Sequence, residues 1–295
     1  METGMRFAEI GQQLRAFRME SGLRAEEIAA KLGVSRAALY RYEKGEVIKL
    51  DTVKRLAGLL KVSPLSLLGI GVEYYSRSPG YFERVRQIEE TADQILQAFG
   101  AVCYLTTSET FDAALAVSLD EAVKQSGADS AAARTTADQV LLLLAARKRA
   151  YQARRPGIIA MVSVPAVRSF LEHGLLAGAT LPPAIRAHNR AVAAAEMERI
   201  ATLMETEPMG LQFGLIASAE PSSGFTILRG RDRATLAVNP FRADTAPVGH
   251  TGVAMVTSAD EAIAAHQRVA ESMWREAVRG PAAAARVREM IAAQS

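Results

Sequence analysis

Residues 33–45, GVSRAALYRYEKG, place two tyrosines and three basic side chains in a short amphipathic pattern between two glycines. At 3.6 residues per turn, Leu39 and Tyr42 fall on an inward face at i, i+3 spacing. The remaining face carries Arg36, Ala37, Tyr40, Arg41 and Lys44. Guanidinium forks match phosphate oxygens and guanine edges, and a small alanine can touch a thymine methyl. The chemistry on offer is recognition of a polyanion that has edges to read. Each residue taken singly would equally suit a solvated helical hairpin, so the case rests on what surrounds them.

Just upstream, Ala25, Ile28, Ala29 and Leu32 recur at i, i+3, i+4, i+7, one apolar stripe on a short helix. Gly33 follows at the position where a left-handed residue ends a helix most cheaply. Val34 can tuck under the turn, and Ser35 is a good N-cap for the next helix, which Gly45 ends. A small Ala29 and a sharp turn at Gly33 let the two helices cross closely. The second helix then projects from the body and can enter a groove about one helix wide. That combination predicts DNA binding. Phosphate contacts position such a helix and base-edge contacts specify sequence. Arg36, Tyr40 and Arg41 are expected to read bases, Lys44 to hold phosphate, and Ser35 and Ala37 to complete the contact surface.

With those residues in view, residues 10–68 resemble the Cro/cI-type helix-turn-helix of the XRE family of transcriptional regulators. The resemblance is carried by LRAFRMESGL, EEIAAKLGVS, RAALYRYEKG and LDTVKRLAGLLKVSPLSLL. It implies an all-α domain, a double-stranded DNA operator, and an ion pair between Arg18 and Glu43 that is structural and reads no base. Where the family usually has Ser or Thr followed by Gln, this chain has Arg24-Ala25. That Gln usually contacts a phosphate and braces a recognition side chain. Here Arg24 is expected to supply the phosphate contact, without the bracing.

The bulk numbers agree with this placement. The net charge of the 295 residues is only +3, but residues 1–70 hold 12 Lys+Arg against 8 Asp+Glu, and residues 71–295 hold 23 against 24. The positive excess lies at the N-terminus, where a polyanion could use it. Cys103 is the one cysteine, which excludes an internal disulfide and a cysteine-based zinc site. Glu2 and the lack of an apolar stretch argue against a secretory signal. The run VLLLLAA is far short of the ~20 residues that span a bilayer. The reading is a cytoplasmic protein without membrane contact.

Three segments are expected: residues 1–70 as the DNA-binding domain, 71–100 as a linker and connecting helix, and 101–295 as a larger α/β or α+β domain that senses an effector and dimerises. GVEYYSRSPG reads as a turn-rich boundary. Tyr81, Val85, Ile88, Ala92, Ile95 and Phe99 recur at four- and three-residue steps. They predict one amphipathic helix, docked on the next domain or forming one side of a dimer contact. AVCYLTT is β-like. Helices are expected at 109–125, 131–154, 166–176, 183–205 and 258–278. Strands are expected in PGIIAMVSV, MGLQFGLIAS and TGVAMVTS, and a hairpin in GFTILRGRDRATLAVN.

This second half shows no catalytic constellation. His173, His188, His250 and His266 lack metal-ligand spacing, and there is no G-x-S-x-G elbow, Walker loop or G-x-G-x-x-G. Cys103, in an apolar run, reads as a buried inert thiol. No metal, cofactor or enzyme activity is expected. The basic clusters ARKRAYQARR and RGRDR read as a solvated helix end and hairpin tip. The alternatives are extra DNA-backbone contact or an anion pocket, in which Arg155, Arg229 and Arg231 would hold a small anionic effector. The order of strands and helices, with ESMWREAV in a C-terminal helix, is similar to C-terminal sensor domains of several bacterial regulators. Some of those share the phospholipase D-like fold without its activity, and its H-x-K-x4-D signature is absent here.

The combined reading is a homodimeric one-component regulator. The alternative is a DNA-tethered enzyme or an interaction module of the antitoxin or phage-repressor kind. A small antitoxin has no need of 200 further residues, and Ala177-Gly178 lies too deep in the second domain for a self-cleaving repressor.

Overall fold

The computed structural model describes residues 7–98, 100–125, 130–217, 224–241 and 252–294. Phe99 of the expected seam and His250 lie outside the described residues. Five helices open the chain: α1 (Phe7–Ser21), α2 (Ala25–Leu32), α3 (Arg36–Glu43), α4 (Leu50–Leu60) and α5 (Pro64–Leu67). Their stripes meet in a core of fully buried Leu14, Phe17, Ile28, Leu39, Leu56 and Leu67. Gly33 takes the left-handed conformation at φ 71°, and its amide closes on Ala30 O. Ser35 Oγ accepts the Ala38 amide at 3.1 Å, capping α3 as its type suggests. At Gly11, a β-carbon would come within 2.5 Å of the Tyr42 carbonyl oxygen, so glycine lets α1 cross the end of α3.

The larger part of the chain contains β1 (Val72–Tyr75), α6 (Ser78–Glu89), β2 (Gln94–Ala98) and a 3-10 turn at Tyr104–Thr106. The hairpin α7 (Glu109–Gln125) and α8 (Ser130–Arg154) follows, then β3 (Gly157–Ser163), α9 (Val164–His173), α10 (Pro183–Thr206) and β4 (Leu211–Ile216). β5 (Phe225–Arg229), β6 (Ala234–Val238), β7 (Ala254–Thr257), α11 (Asp260–Glu276) and α12 (Gly280–Ala292) complete it. The seven strands form one sheet in the order β1-β7-β6-β5-β2-β3-β4. β2, β3 and β4 are parallel, joined by helical crossovers, and the other pairings are antiparallel. The class is thus a helical N-terminal domain followed by a mixed α/β domain.

Alternation along the strands divides the core. Ile95, Ile158 and Leu215 join the large cluster under α6, α8, α9 and α10. Leu96, Met161, Ile227 and Leu236 face the other way, toward Ile263, Met273 and Trp274 of α11.

Four expectations need correction. The seam is not one helix. α6 stops at Glu89, and Ile95 belongs to β2. Tyr81, Val85, Ile88, Ala92 and Ile95 are all buried inside the chain, so they form no dimer face. QILQA carries apolar side chains toward both faces, Ile95 into one core and Leu96 and Ala98 into the other, because helices cover both sides of the sheet there, and a doubly buried strand mimics helical spacing over so short a run. Residues 71–100 are likewise no linker, since they supply two strands and α6. AVCYLTT forms an irregular stretch ending in the 3-10 turn. There Thr106 and Thr107 bond their hydroxyls back to Cys103 O and Tyr104 O at 2.9 and 2.8 Å, which competes with strand pairing. α12 escapes the periodic reading because its inward face is Ala283, Ala284 and Val287, a weak apolar contrast.

Candidate nucleic-acid interface

The outer face of α3 assembles as its spacing requires. Ser35, Arg36, Ala37, Arg41 and Lys44 are exposed, Tyr40 is half-buried, and Leu39 faces the core. Arg24 caps α2 and is exposed, its backbone amide donating to Glu27 Oε2 at 2.7 Å. The ion pair between Arg18 and Glu43 is present and two-pronged, at 2.5 and 3.1 Å, and ties α1 to α3. Both side chains are largely buried.

Two of the expected base readers are held by acidic neighbours. Arg36 Nη1 lies 2.7 Å from Glu26 Oε1. Its Nε and Nη2 donate to Tyr40 Oη at 3.3 and 3.2 Å, and the guanidinium lies 5.3 Å from the Tyr40 ring centre. Arg41 Nε lies 2.6 Å from Glu46 Oε2. All four charged side chains are about half exposed, so these pairs are cheap to break and act as placeholders that a phosphate or base edge can replace. The sequence reading missed Glu26 and Glu46. The signal was the i, i+5 spacing of Arg41 and Glu46 across the end of α3.

The domain is mounted on the sheet through α6. Arg84 donates to Glu73 at 2.8 and 2.9 Å, both residues being buried. Gln13 of α1 donates to the same carboxylate at 3.0 Å, and Tyr75 Oη at 2.6 Å. Arg15 of α1 pairs with buried Glu83 at 2.9 Å. Glu20 accepts the Ser76 and Arg77 amides at 2.6 and 3.0 Å. At Gly80 a β-carbon would come within 2.8 Å of Glu20, so glycine permits α1 and α6 to touch.

The basic clusters divide. In ARKRAYQARR, Arg147 donates to Glu89 at 2.7 and 2.8 Å. Lys148 is buried, donates to Asp112 at 2.5 Å, and lies 4.9 Å from the Tyr104 ring centre. A solvated helix end is therefore incorrect for these two. The signal was Val140, Leu144 and Lys148 at i, i+4, i+8, which puts Lys148 on the buried stripe. Arg154 pairs with Asp93. In RGRDR, Arg233 pairs with Glu9 of α1 at 3.6 Å, and Arg229 donates to Gln267 at 2.7 Å.

Register places Arg229 opposite Gln94, at the start of β2, and Gln94 also faces Gly157, two residues after Arg155. Arg155, Arg229 and Arg231 thus gather at one end of the sheet. A cavity of about 80 Å³ opens at the other end of β2, and none of the three lines it. Tyr81, Phe82, Tyr104, Phe241, Arg147 and Glu89 are among the residues that do. Cys103 is buried nearby, and burial pushes its thiol up to about 11, which suits an inert side chain. His173, His188 and His266 lie on three different helices.

Residues 9–67 match a family described as a helix-turn-helix domain. No curated protein matches the chain. Among solved structures, TrmBL2, an archaeal chromatin protein whose structure is described as showing a novel mode of DNA binding, is similar over 78% of this chain at 9% identity and a TM-score of 0.31. This chain spans 62% of that protein's length, and the likeness is too remote to carry a functional argument. The N-terminal part is thus a helix-turn-helix domain. Among the described residues, no helix is long and apolar enough to cross a membrane.

Proposed function

We propose that the chain is a sequence-specific, DNA-binding transcriptional regulator that works as a homodimer, with operator binding modulated by a small molecule in the larger domain. The observation that carries this reading is the outward face of α3. Four side chains suited to bases and phosphates stand beyond a left-handed Gly33 turn, within a matched helix-turn-helix domain. We read the larger domain as a sensor, not an enzyme. For dimerisation, the support is the β1 edge of the sheet, where Leu65, Ile70, Tyr74 and Val253 are exposed on or next to β1 and β7, and where β1 pairs with β7 alone among the described residues. Exposed apolar groups beside a strand edge mark an association surface.

Selecting bound duplexes from a random library with the full chain tests the reading. A recovered motif with two-fold symmetry, half-sites ~34 Å apart, and a dimer by light scattering are expected. Binding that shows no preference among sequences would reject it.

A further inference from the structure

We infer that the cavity between α6, the end of β2 and the Tyr104–Thr106 turn binds a small, uncharged ring compound with a hydrogen-bonding group, and that α6 transmits its occupancy to the DNA-facing helices. The second half rests on the regulator reading above; the binding site stands without it.

The walls define the ligand. Tyr81, Phe82, Tyr104 and Phe241 line the space, with Tyr81 tilted against Phe82 and Phe241 at centroid distances of 5.5 and 5.9 Å. Such rings hold another ring by offset or edge contact. The volume, about 80 Å³, is roughly half the ~150 Å³ that admits benzene to an apolar cavity. Entry therefore requires the aromatic wall to re-tilt, which favours compact rings. Apart from the tyrosine hydroxyls, Glu89, Gln97, Arg147, Thr226 and Asn239 carry the polar side-chain groups of the described lining. Asn239 spends its Oδ1 on the Phe241 amide at 2.7 Å, which leaves its NH2 to donate. Arg147 spends Nε and Nη2 on Glu89, which leaves Nη1.

Charge decides the rest. Arg147 and Glu89 neutralise each other at 2.7 Å with little exposure. An ionic ligand would bring an uncompensated charge into a place that has already balanced its own. The site therefore selects neutral molecules, in contrast to the anionic effector suggested by the basic clusters.

α6 explains the coupling. Every residue from Ser78 to Glu89 except Arg86 is buried, although the segment is rich in charge. Tyr81, Phe82, Val85 and Glu89 line the cavity. Gly80, Glu83, Arg84 and Gln87, at i, i+3, i+4, i+7, engage α1 or β1. A ligand that re-tilts the inner face works on a helix whose outer face carries the DNA-binding domain.

The test uses the full chain and ligand-observed NMR with phenol, benzamide, benzoate and benzylammonium. Saturable binding of phenol or benzamide is expected, with both ions at least about tenfold weaker. Ala101→Leu, which fills the cavity from a buried lining position, should weaken binding about tenfold or more in protein whose circular dichroism is unchanged. Thr226→Val, which removes a lining hydroxyl at constant volume, serves if that variant does not fold. Arg231→Ala, at the far end of the sheet, should change nothing. Phenol should then shift the dissociation constant for the selected duplex by about 5- to 150-fold, and not in the filled variant. Failure of both neutral probes to bind, tighter binding of an ion, retained binding in a folded filled variant, or loss in Arg231→Ala overturns the site. Intact ring binding with no shift on DNA overturns the transmission through α6. A chain that binds rings but selects no DNA sequence rejects the regulator reading and leaves the site standing.

Discussion

Phe17 of α1 stacks on Tyr75 of β1, ring centroids 5.3 Å apart and planes 13° apart, with both side chains fully buried. Burial holds the Tyr75 hydroxyl well above its ordinary pKa, so it stays a donor to Glu73. The stack, and the hydrogen bond from Gln13 of α1 to the Glu73 carboxylate that Arg84 also holds, join the helix-turn-helix domain to the sheet as one packed unit.

Glu73→Ala should therefore be severe. It leaves the Arg84 guanidinium buried without its partner, a loss of about 3–5 kcal/mol. Because the joint is shared, urea unfolding of the wild type should be one transition, with near-ultraviolet dichroism and DNA binding lost together. Two separated transitions would show that the domains are independently stable.

On DNA, Arg41→Ala should cost about 1–3 kcal/mol per half-site on the selected operator and less on scrambled duplex. Lys44→Ala should weaken both alike and reduce the salt slope by about one phosphate contact. Leu39→Ala is the folding control. Its side chain is fully buried, and the truncation should cost about 2–5 kcal/mol of stability without changing preference. Anisotropy across a salt series separates these effects; an unchanged preference in Arg36→Ala, Tyr40→Ala and Arg41→Ala alike would show that α3 does not read sequence.

Glu26→Gln and Glu46→Gln should bind DNA more tightly than the wild type. Each frees an arginine from an exposed carboxylate that competes with DNA and repels phosphate. The gain should be largest at low salt and shrink as screening grows. Equal or weaker binding by both variants would mean that the acidic partners hold Arg36 and Arg41 in productive positions.

Acid should loosen the joint. Burial alone would raise the Glu83 carboxyl, but hydrogen bonds from Arg86, the charges of Arg15 and Arg86, and a bond from Gln87 outweigh it and hold the group below its ordinary 4.5. A depressed carboxylate contributes stability that is complete above 4.5 and is lost as pH falls through the lower folded value. Melting temperatures measured from pH 7 downward should drop in that window, and Glu83→Gln should flatten the drop. A Glu83→Gln curve parallel to wild type would remove Glu83 from the account.

The reading of the sequence was most accurate where local signals agreed. Gly33, Ser35 and the Ala25–Leu32 stripe specify their turn and helix without help from elsewhere, and α7, α8, β3 and the β5–β6 hairpin fall close to where periodicity puts them. It failed where distant partners decide. β1 is four residues in a turn-rich stretch and becomes a strand because β7 pairs with it. β2 buries Ile95 on one face and Leu96 and Ala98 on the other, so its pattern marks no single face. Arg147 and Lys148 look like surface charge until Glu89 and Asp112, from other elements, meet them. The cavity was invisible for the same reason, since its lining spans residues 81 to 241.

The rigid mounting of the helix-turn-helix domain on α6 has a consequence for the target. A reader on a flexible tether accepts half-sites at many separations. One clamped to a sheet cannot, and if two such chains associate through their larger domains, the architecture of that contact sets the stride between recognition helices. Inserting a single base pair between half-sites turns one of them by about 34° relative to the other, at ~10.5 base pairs per turn, a twist that the buried contacts between α1 and α6 resist. The operator's spacer would then be encoded in the contact surface of the larger domain and not in the helix that reads its letters.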